Sequence, residues 1–500
     1  MSELVTTAQM RAIEASAIAS GATTGAQLME RAAAGVVAAI MAEWPDLVAG
    51  RAVVLAGPGN NGGDGFAVAR LLHEAGWAVR VFQYAAPAQM PPDAEAMRAR
   101  WRALGPVADF AAFDANAGDF DLVVDALFGI GMSRPMPPTP QAEALRSLRP
   151  RLLAIDLPSG LDADTGALIE PALVASLTVT FHAAKPGHYL GAGPQSCGRL
   201  VVADIGIASS QHAADAAAPP TRLIEVPSTP LAKSPHAHKF RHGHALVLSG
   251  GSGRGGAARL AARAALRVGA GLVTLACPQA ALAENAARLD AVMLVALADG
   301  YSLRGILADA RINALALGPG LGLARAREMV PVVLSHHRAT VLDADALTAF
   351  EDAPDSLFER LHAATILTPH LGEFARLFPD IASRMGTVGY SRLDAVRAAA
   401  ERAGCTVLLK GADTVIANAE GQSALHAAAY DRAAPWLATA GAGDVLTGMI
   451  VGLLARGAAP MQAAETAAFL HVEAARSFGP GLIAEDLPEA LSGVLRALGV

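Results

Sequence analysis

The alternation of short β-branched runs with alanine- and leucine-rich stretches of helical length constrains this chain most. Strands covered on both faces read as continuous apolar runs, so the pattern is that of α/β domains with parallel sheets under helices. At 500 residues the chain exceeds one ordinary core, and at ~150 residues per domain two to four are expected. The best break is 211–221, which has no apolar period and ends Pro219-Pro220-Thr221. It sets two domains, 1–215 and 223–500.

The first domain is expected to open with two helices. Thr6 and Gln9 suit a capping box ahead of Met10 and Ile13, and the second helix runs over 26–44. Strands are expected over 52–56, 78–83, 122–125, 152–156, 176–181 and 200–204, with a helix over 66–75. In the second domain they fall over 244–248, 272–276, 314–317, 340–342, 365–367 and 406–409, and a helix runs over 445–454.

Composition closes off several classes. With 53% hydrophobic and 17% charged residues, the chain is far too apolar to be disordered. A net charge of -7 leaves no basic field for nucleic acid or anionic lipid, which argues for small-molecule work. The charge-free stretch 268–283 carries Pro278 and is shorter than the ~20 residues of a membrane span. Met1-Ser2-Glu3-Leu4 lacks the basic region and apolar run of a signal peptide. Cys197, Cys277 and Cys405 stand in no CxxC spacing and read as core residues of a cytoplasmic protein.

Chemistry concentrates at strand ends. Gly57-Pro58-Gly59-Asn60-Asn61-Gly62-Gly63-Asp64-Gly65 lies between a strand and a helix. Its GxGxxG spacing suits amides that approach a phosphate, glycine permitting positive φ. Yet the second strand ends in Gln83-Tyr84, where a dinucleotide site places an acid for the ribose. Asn60, Asn61 and Asp64 are more than phosphate cradling needs. They are either hard oxygen ligands for an alkali or alkaline-earth cation or ordinary turn residues. Asp125, Asp156 and Ser159 stand at two further strand ends, where open parallel sheets bind ligands.

This loop, with Asp125-Ala126-Leu127-Phe128-Gly129, Asp156-Leu157-Pro158-Ser159-Gly160 and Lys185-Pro186-Gly187-His188, resembles the N-terminal domain of the bifunctional NAD(P)H-hydrate repair enzymes, the YjeF-type proteins. The resemblance covers residues 1–210. It implies a Rossmann-like three-layer domain that epimerises hydrated nicotinamide nucleotides with a bound potassium ion, K+. By position it implies substrate contacts from Asn60, Asn61, Gly62, Gly63 and Asp64, and from Gly129, Ile130, Gly131, Met132, Ser133, Arg134 and Pro135. Asn61, Asp125 and Ser159 would hold the potassium, and Asp156 would face the reacting ring. One departure is Arg31 after Glu30, where the family pattern has Asn. In the substrate, the ring nitrogen beside C6 can expel the hydroxyl and leave an iminium-like centre. Water returning to the other face inverts C6, and a carboxylate such as Asp156 can move the protons.

Ala440-Gly441-Ala442-Gly443-Asp444 opens a helix of the second domain. Small residues let amides converge on an anion, and the Asp either takes a proton from an attacking hydroxyl or is an N-cap. Lys410-Gly411-Ala412-Asp413-Thr414 supplies a cation and small backbone units at a strand end. Gly318-Pro319-Gly320-Leu321-Gly322 and Thr368-Pro369-His370 follow two other strands, and Asp343 and Asp345 either support the site or cap helices. With His238-Lys239, Gly250-Gly251-Ser252 and Gly269-Ala270-Gly271, this constellation resembles the ribokinase-like dehydratase half of the same family, over residues 226–498. The resemblance implies dehydration of the S hydrate to NAD(P)H, with ADP as co-substrate, Mg2+ as cofactor, and AMP and phosphate as products. Ala257, Gly320, His370 and Asp444 would contact the hydrate. Lys410, Gly411, Ala412, Asp413, Thr414 and Gly443 would contact the AMP moiety, and Asp444 would assist attack of the C6 hydroxyl on the β-phosphate.

Two other readings use the same residues. A hydroxymethylpyrimidine- or sugar-type kinase fused to a nucleotide-binding domain shares the Gly-Ala-Gly-Asp turn but has no use for the Asn-Asn loop. A non-catalytic nucleotide- or RNA-binding first half could dispense with Asp156 and Asn61 and would carry basic patches. His236, His238, His242 and His244 alternate without a Cys and are not read as a zinc site. The expected partners are NADHX, NADPHX and ADP, and the expected assembly is a homo-oligomer.

Overall fold

The computed structural model describes residues 2–47, 49–85, 89–114, 120–132, 141, 151–169, 172–207 and 221–500. The chain divides into two compact units. One comprises Glu3–Thr221 with Gly386–Ser391, the other Met1–Ser2, Arg222–Met385 and Arg392–Val500. Of the expected linker only Thr221 lies within the described residues, and it opens a strand, Thr221–Leu223.

In the first unit Thr6 caps the helix Thr7–Ala19 with a reciprocal bond from Gln9, and Met10, Ile13 and Ala17 turn inward at helical spacing. Thr24 and Gln27 repeat the device for Gly25–Glu43. Among the described residues seven parallel strands lie side by side. Their order is Val107–Asp109, Ala78–Gln83, Arg51–Ala56, Leu122–Ala126, Arg151–Ile155, Leu177–Phe181, Arg199–Ala203. Numbered along the chain this order is 3-2-1-4-5-6-7. It reverses between Arg51–Ala56 and Leu122–Ala126 and leaves a crevice beyond their carboxyl ends. Val54 and Val124 pack on one face of the sheet, Val53, Leu55 and Val123 on the other, which is why these strands show no polar alternation.

Three expectations need correction here. The helix after the glycine run is Asn60–Glu74, so residues 60–65 form its first turns rather than a loop before it. The helix Pro92–Arg102 and the strand Val107–Asp109 were not expected. The helix did carry a signal, since Ala94, Met97 and Trp101 are inward-facing at i, i+3 and i+7. At Arg31, the departure from the family pattern, the guanidinium donates to the Ile205 carbonyl at 3.0 Å.

Among the described residues, ten strands that belong mainly to the second unit lie side by side in the order Thr221–Leu223, Ser423–Ala427, Asp413–Ala417, Thr406–Leu409, Thr365–Leu367, Ala339–Leu342, Ile312–Leu317, His244–Leu248, Leu272–Cys277, Met293–Ala296. Asp413–Ala417 runs antiparallel to both neighbours. This hairpin and the two edge strands were not expected; they are short and lie outside the parallel centre. The order reverses between Ile312–Leu317 and His244–Leu248, which sets a second crevice. The helix Ala442–Ala455 is almost wholly buried and packs closely on Gly256–Arg267. A methyl group on Gly448 would lie 2.2 Å from the Ala261 carbonyl oxygen. Among the described residues no helix is long and apolar enough to cross a membrane.

Candidate functional site

The first crevice is built by close backbone approach. Gly57 N donates to the Ala126 carbonyl at 2.9 Å, drawing the glycine run onto the neighbouring strand. A Cβ at Gly57 would sit 1.8 Å from Leu127 O, and one at Gly62 2.0 Å from Gly57 O. Neither glycine has positive φ, so proximity, and not the left-handed conformation expected from sequence, excludes a side chain here. A cavity of about 460 Å3 opens above this turn. Of the expected substrate contacts, Asn60, Asn61, Asp64, Gly129, Ile130, Gly131, Met132 and Asp156 line it. Gly62 and Gly63 are buried in the helix beneath. Ser133, Arg134 and Pro135 lie outside the described residues.

Asp156 follows its strand in the left-handed region, φ 68°, and its surroundings hold it there. His188 Nε2 donates to the Asp156 carbonyl at 2.9 Å, while His188 Nδ1 accepts from Lys185 N at 2.9 Å. That pair of bonds fixes a neutral imidazole, and burial pushes its pKa down to about 4. The carboxylate accepts at Oδ2 from Ile130 N at 3.0 Å and at Oδ1 from Thr180 Oγ1 at 2.9 Å and Lys185 Nζ at 3.0 Å. Lys185 Nζ also donates to Thr180 Oγ1 at 2.7 Å. Burial opposes the charge on Asp156, but the Lys185 ammonium and these donors outweigh it and hold the carboxyl below its usual range.

Two other acids in the cavity behave oppositely. Burial, then the charges of Asp156 and Glu14, raise Asp64 well above its usual value. Burial raises Glu14, with Lys185 pulling it down and Asp156 pushing it up. One ionised carboxylate thus shares a cavity with two carboxyls biased toward the neutral form, the environment split that separates acid from base. Lys185, His188, Thr180 and Glu14 had no sequence-derived role. Lys185 and His188 stood in a quoted motif, whereas nothing in the sequence tied Glu14, on the first helix, to this site.

Beneath them, Ser159 N donates to Asp125 Oδ2 and Ser159 Oγ to Asp125 Oδ1, both at 2.7 Å, and Leu127 N donates to Oδ1 at 3.2 Å. Asp125 is fully buried without a cationic side chain among these partners, and burial pushes its pKa up to about 6. Asn61 stands by Gly129 and Asp156: a Cβ on Gly129 would lie 3.2 Å from Asn61 Oδ1 and 2.8 Å from Asp156 Oδ2. Asn61 Nδ2 is buried with no hydrogen-bond partner, leaving a donor for a bound molecule. The Asp125 and Ser159 oxygens are of the hard type an alkali cation takes, whereas Asn61 Oδ1 lies by Gly129 and Asp156.

In the second unit, a Cβ on Gly250 would sit 1.9 Å from Gly320 O, so the loops after the two switch strands touch. Gly320, at φ 63°, has its Cβ position 3.6 Å from Ala257 Cβ, which brings two expected hydrate contacts together. His370 caps the helix Leu371–Leu377: its Nδ1 accepts from Gly372 N at 2.9 Å, and Glu373 Oε2 accepts from His370 N at 2.8 Å. The buried Asp343 accepts from Lys410 Nζ at 2.6 Å and from Thr447 Oγ1 at 2.7 Å. Burial disfavours the Lys410 charge, but Asp343, then Glu373 and Asp444, raise its pKa. The Cβ position of Gly443 lies 3.6 Å from Lys410 Nζ, which places the Gly-Ala-Gly-Asp turn against this lysine.

Asp444 is pushed up to about 6 by burial, then by the charge of Asp343, with Lys410 opposing and Asp345 adding. Asp413 is committed to Arg392, and Thr414 Oγ1 to the Gly411 carbonyl at 2.8 Å, so both side chains shape the turn Lys410–Thr414. Among the described residues no three His, Cys, Asp or Glu side chains group as a metal site. Asp343 and Asp345 both act on Asp444, Asp345 Oδ2 accepting from Gly322 N at 2.8 Å, and such hard oxygens suit a magnesium ion carried mainly by nucleotide phosphates.

Fold and sites define a two-centre α/β protein, with a crevice holding three acids and a lysine in one unit and a glycine-rich turn with an acid at a helix start in the other. A family profile described as YjeF-related protein N-terminus matches residues 25–187, and one described as NAD(P)H-hydrate dehydratase matches residues 245–494. The chain is 36% identical to a bifunctional NAD(P)H-hydrate repair enzyme of Moorella thermoacetica, over 99% of this chain and 97% of that protein. A namesake from Thermosynechococcus vestitus is also 36% identical, over 94% and 92%. The NAD(P)H-hydrate epimerase of Rhodobacter capsulatus is 51% identical over 38% of this chain and 92% of its own length. The chain belongs to the family of bifunctional NAD(P)H-hydrate repair enzymes.

Proposed function

We propose that Glu3–Thr221 epimerises R- and S-NAD(P)HX at the Asp156 crevice, and that Arg222–Val500 dehydrates the S form with a nucleoside diphosphate at the Lys410–Asp444 crevice. The observation that carries the first assignment is the Asp156 carboxylate, kept ionised by Lys185 at 3.0 Å in a cavity shared with Asp64 and Glu14. In epimerisation the C6–O bond breaks toward oxygen, which takes a proton from Asp64, whose carboxyl burial biases toward the protonated form, and leaves as water. The ring nitrogen lone pair forms the iminium. Water then adds to the other face of C6 and gives its proton to Asp156.

Asn61, Asp125 and Ser159 would hold K+. When bound, the ion compensates the buried Asp125 charge and orders the Asn61 amide near the substrate. In the second unit, Asp444 takes the proton of the C6 hydroxyl as its oxygen attacks the β-phosphorus of ADP and AMP departs. The ring nitrogen then expels phosphate from C6, and the departing phosphate takes the C5 proton as the C5–C6 double bond forms, restoring the dihydropyridine. The Lys410 ammonium and the amides of the Gly441–Asp444 turn bind the nucleotide phosphates. Asp343 and Asp345 would help hold Mg2+, which supplies charge neutralisation at those phosphates when bound. The choice of ADP over ATP follows the resemblance. Cys197, Cys277 and Cys405 are all buried free thiols, which supports a cytoplasmic setting; a homo-oligomer remains the expected assembly.

The test is incubation of mixed R and S hydrates with ADP and Mg2+, following NADH absorbance. Wild type should convert the mixture completely. Asp156→Ala should consume the S fraction and stall on R. Normal R/S equilibration by Asp156→Ala would overturn its role.

A further inference from the structure

Three arginines meet beside the second crevice, and none is used by the assignments above. Arg259 and Arg263 project from the helix Gly256–Arg267, and Arg288 follows the short helix Leu282–Ala286. With Gly256, Leu260, Leu289 and Glu485 they line a cavity of about 230 Å3. Their charges are unevenly matched. Arg263 pairs with Glu489 at 2.5 Å. Arg259 makes one side-chain bond, from Nη1 to the neutral Asn285 Oδ1 at 3.1 Å. The Arg288 side chain is exposed and has no hydrogen-bonded or ionic partner among the described residues. Two guanidinium forks with open donors therefore face one small space in which Glu485 is the single acid. Such a pair suits an anion with several oxygens, because each fork can give parallel charge-assisted bonds.

The location says which anion. Gly256 of the cavity wall directly precedes Ala257, assigned above to the hydrate. Arg259 folds back on this loop: a Cβ on Gly255 would lie 2.7 Å from its Nη1, and one on Gly256 3.9 Å from its Nη2. Leu260, also in the wall, abuts the anion turn, where a Cβ on Gly441 would lie 2.9 Å from Leu260 Cδ1. The hydrate is a dinucleotide of which only the damaged ring reacts. With the nucleotide co-substrate assigned to the Lys410 and Gly443 side, a dinucleotide whose damaged ring lies at Ala257 has the arginine cavity as its neighbour through Gly256. The cavity has room for a phosphate group and its waters.

We propose that Arg259 and Arg288, walled by Arg263, form a subsite for a phosphate group of the hydrated dinucleotide. The proposal rests on the assignment of Ala257, Gly320, His370 and Asp444 to the hydrate. Two phosphates share this chemistry: the pyrophosphate, common to NADHX and NADPHX, and the ribose 2′-phosphate, present in NADPHX alone.

The experiment measures KM for S-NADHX and S-NADPHX at saturating ADP with the full chain carrying Arg288→Gln, Arg288→Lys, or Arg259→Gln with Arg288→Gln. The double variant should raise KM for NADPHX about ten- to a hundredfold, the range of lost charge-assisted hydrogen bonds, and Arg288→Gln less. Arg288→Lys should recover part of the loss. An equal rise for NADHX identifies the pyrophosphate, and a rise confined to NADPHX identifies the 2′-phosphate. KM values for both substrates within twofold of wild type overturn the subsite. If the double variant does not fold, Arg288→Gln alone decides, since its side chain is exposed and unpartnered. The crevice assignment is tested apart: full dehydration by Asp444→Asn would overturn that reading whatever the arginine variants do.

Discussion

Among the described residues Lys185 is the cation bonded to the Asp156 carboxylate, and replacing it by Met removes that charge while keeping much of the side-chain volume. Lys185 is 1% and Asp156 9% exposed at the side chain, so water does not replace the lost ammonium. Ile130 N and Thr180 Oγ1 remain as donors. Removing one partner of a buried pair costs about 3–5 kcal/mol when the other stays charged. The carboxyl escapes part of this by taking a proton, and at 1.36 kcal/mol per unit a 3 kcal/mol penalty corresponds to about two pH units.

The sign follows from the direction of the shift. In wild type the depressed Asp156 contributes stability above its unfolded pKa, and that contribution is lost as pH falls through the folded value. In Lys185→Met the folded pKa is raised by burial, so the variant is closest to wild type in acid and loses stability as pH rises. The assays are denaturant midpoints at pH 5 and 7.5 and the pH profile of epimerisation. The acid limb of kcat/KM should move upward by about two units, and the rate at neutral pH should fall about a hundredfold or more. An unmoved acid limb with unchanged midpoints would refute the claim that Lys185 sets the charge of Asp156.

Further outcomes follow from the same geometry. Asp444→Asn should abolish NAD(P)H formation while R/S exchange continues. In wild type, dehydration should fall as pH drops through about 6, where Asp444 takes up a proton; a flat profile from pH 5 to 8 would contradict the base role. KCl should raise the thermal midpoint of the first unit more at pH 8 than at pH 5, because Asp125, with its pKa raised to about 6, carries an uncompensated charge only at the higher pH. Asp125→Asn should erase the difference between KCl and choline chloride, and its persistence would remove Asp125 from the ion site. Gly57→Ala places a methyl group 1.8 Å from Leu127 O and should cost about 1–3 kcal/mol of stability together with epimerase activity. A midpoint equal to wild type would show that the turn can yield.

Much of this site was legible along the chain because its residues cluster in short motifs at strand ends. Asn61, Asp64 and Asp156 lie where a parallel sheet delivers them to one crevice, with Asp125 and Ser159 buried beneath it. Glu14 was not legible, because helical spacing explains its neighbours Met10 and Ile13 without assigning it a task. The strands Asp413–Ala417 and Ser423–Ala427 escaped notice for another reason: period and composition identify buried parallel strands, whereas a short hairpin at the sheet's flank differs little from a loop. Glycine in the 57–65 run was expected for its dihedral freedom and proved necessary for backbone proximity, a distinction only coordinates can make.

What sequence alone determined was the α/β architecture with its central parallel strands and several polar residues at their carboxyl ends, since apolar runs, strand-end acids and glycine-rich turns are properties of local spacing. Glu14, Thr180 and the contacts of Lys185 and His188 came from the tertiary fold. Tertiary structure decided the charge state of each group. The charge of Asp156, Asp64 and His188 depends on burial and on partners that are mostly distant along the chain, as between Lys185 and Asp156 at 3.0 Å or Lys410 and Asp343 at 2.6 Å. Electrostatic free energy is set by distance through space and by the loss of water, and neither is written in the order of residues.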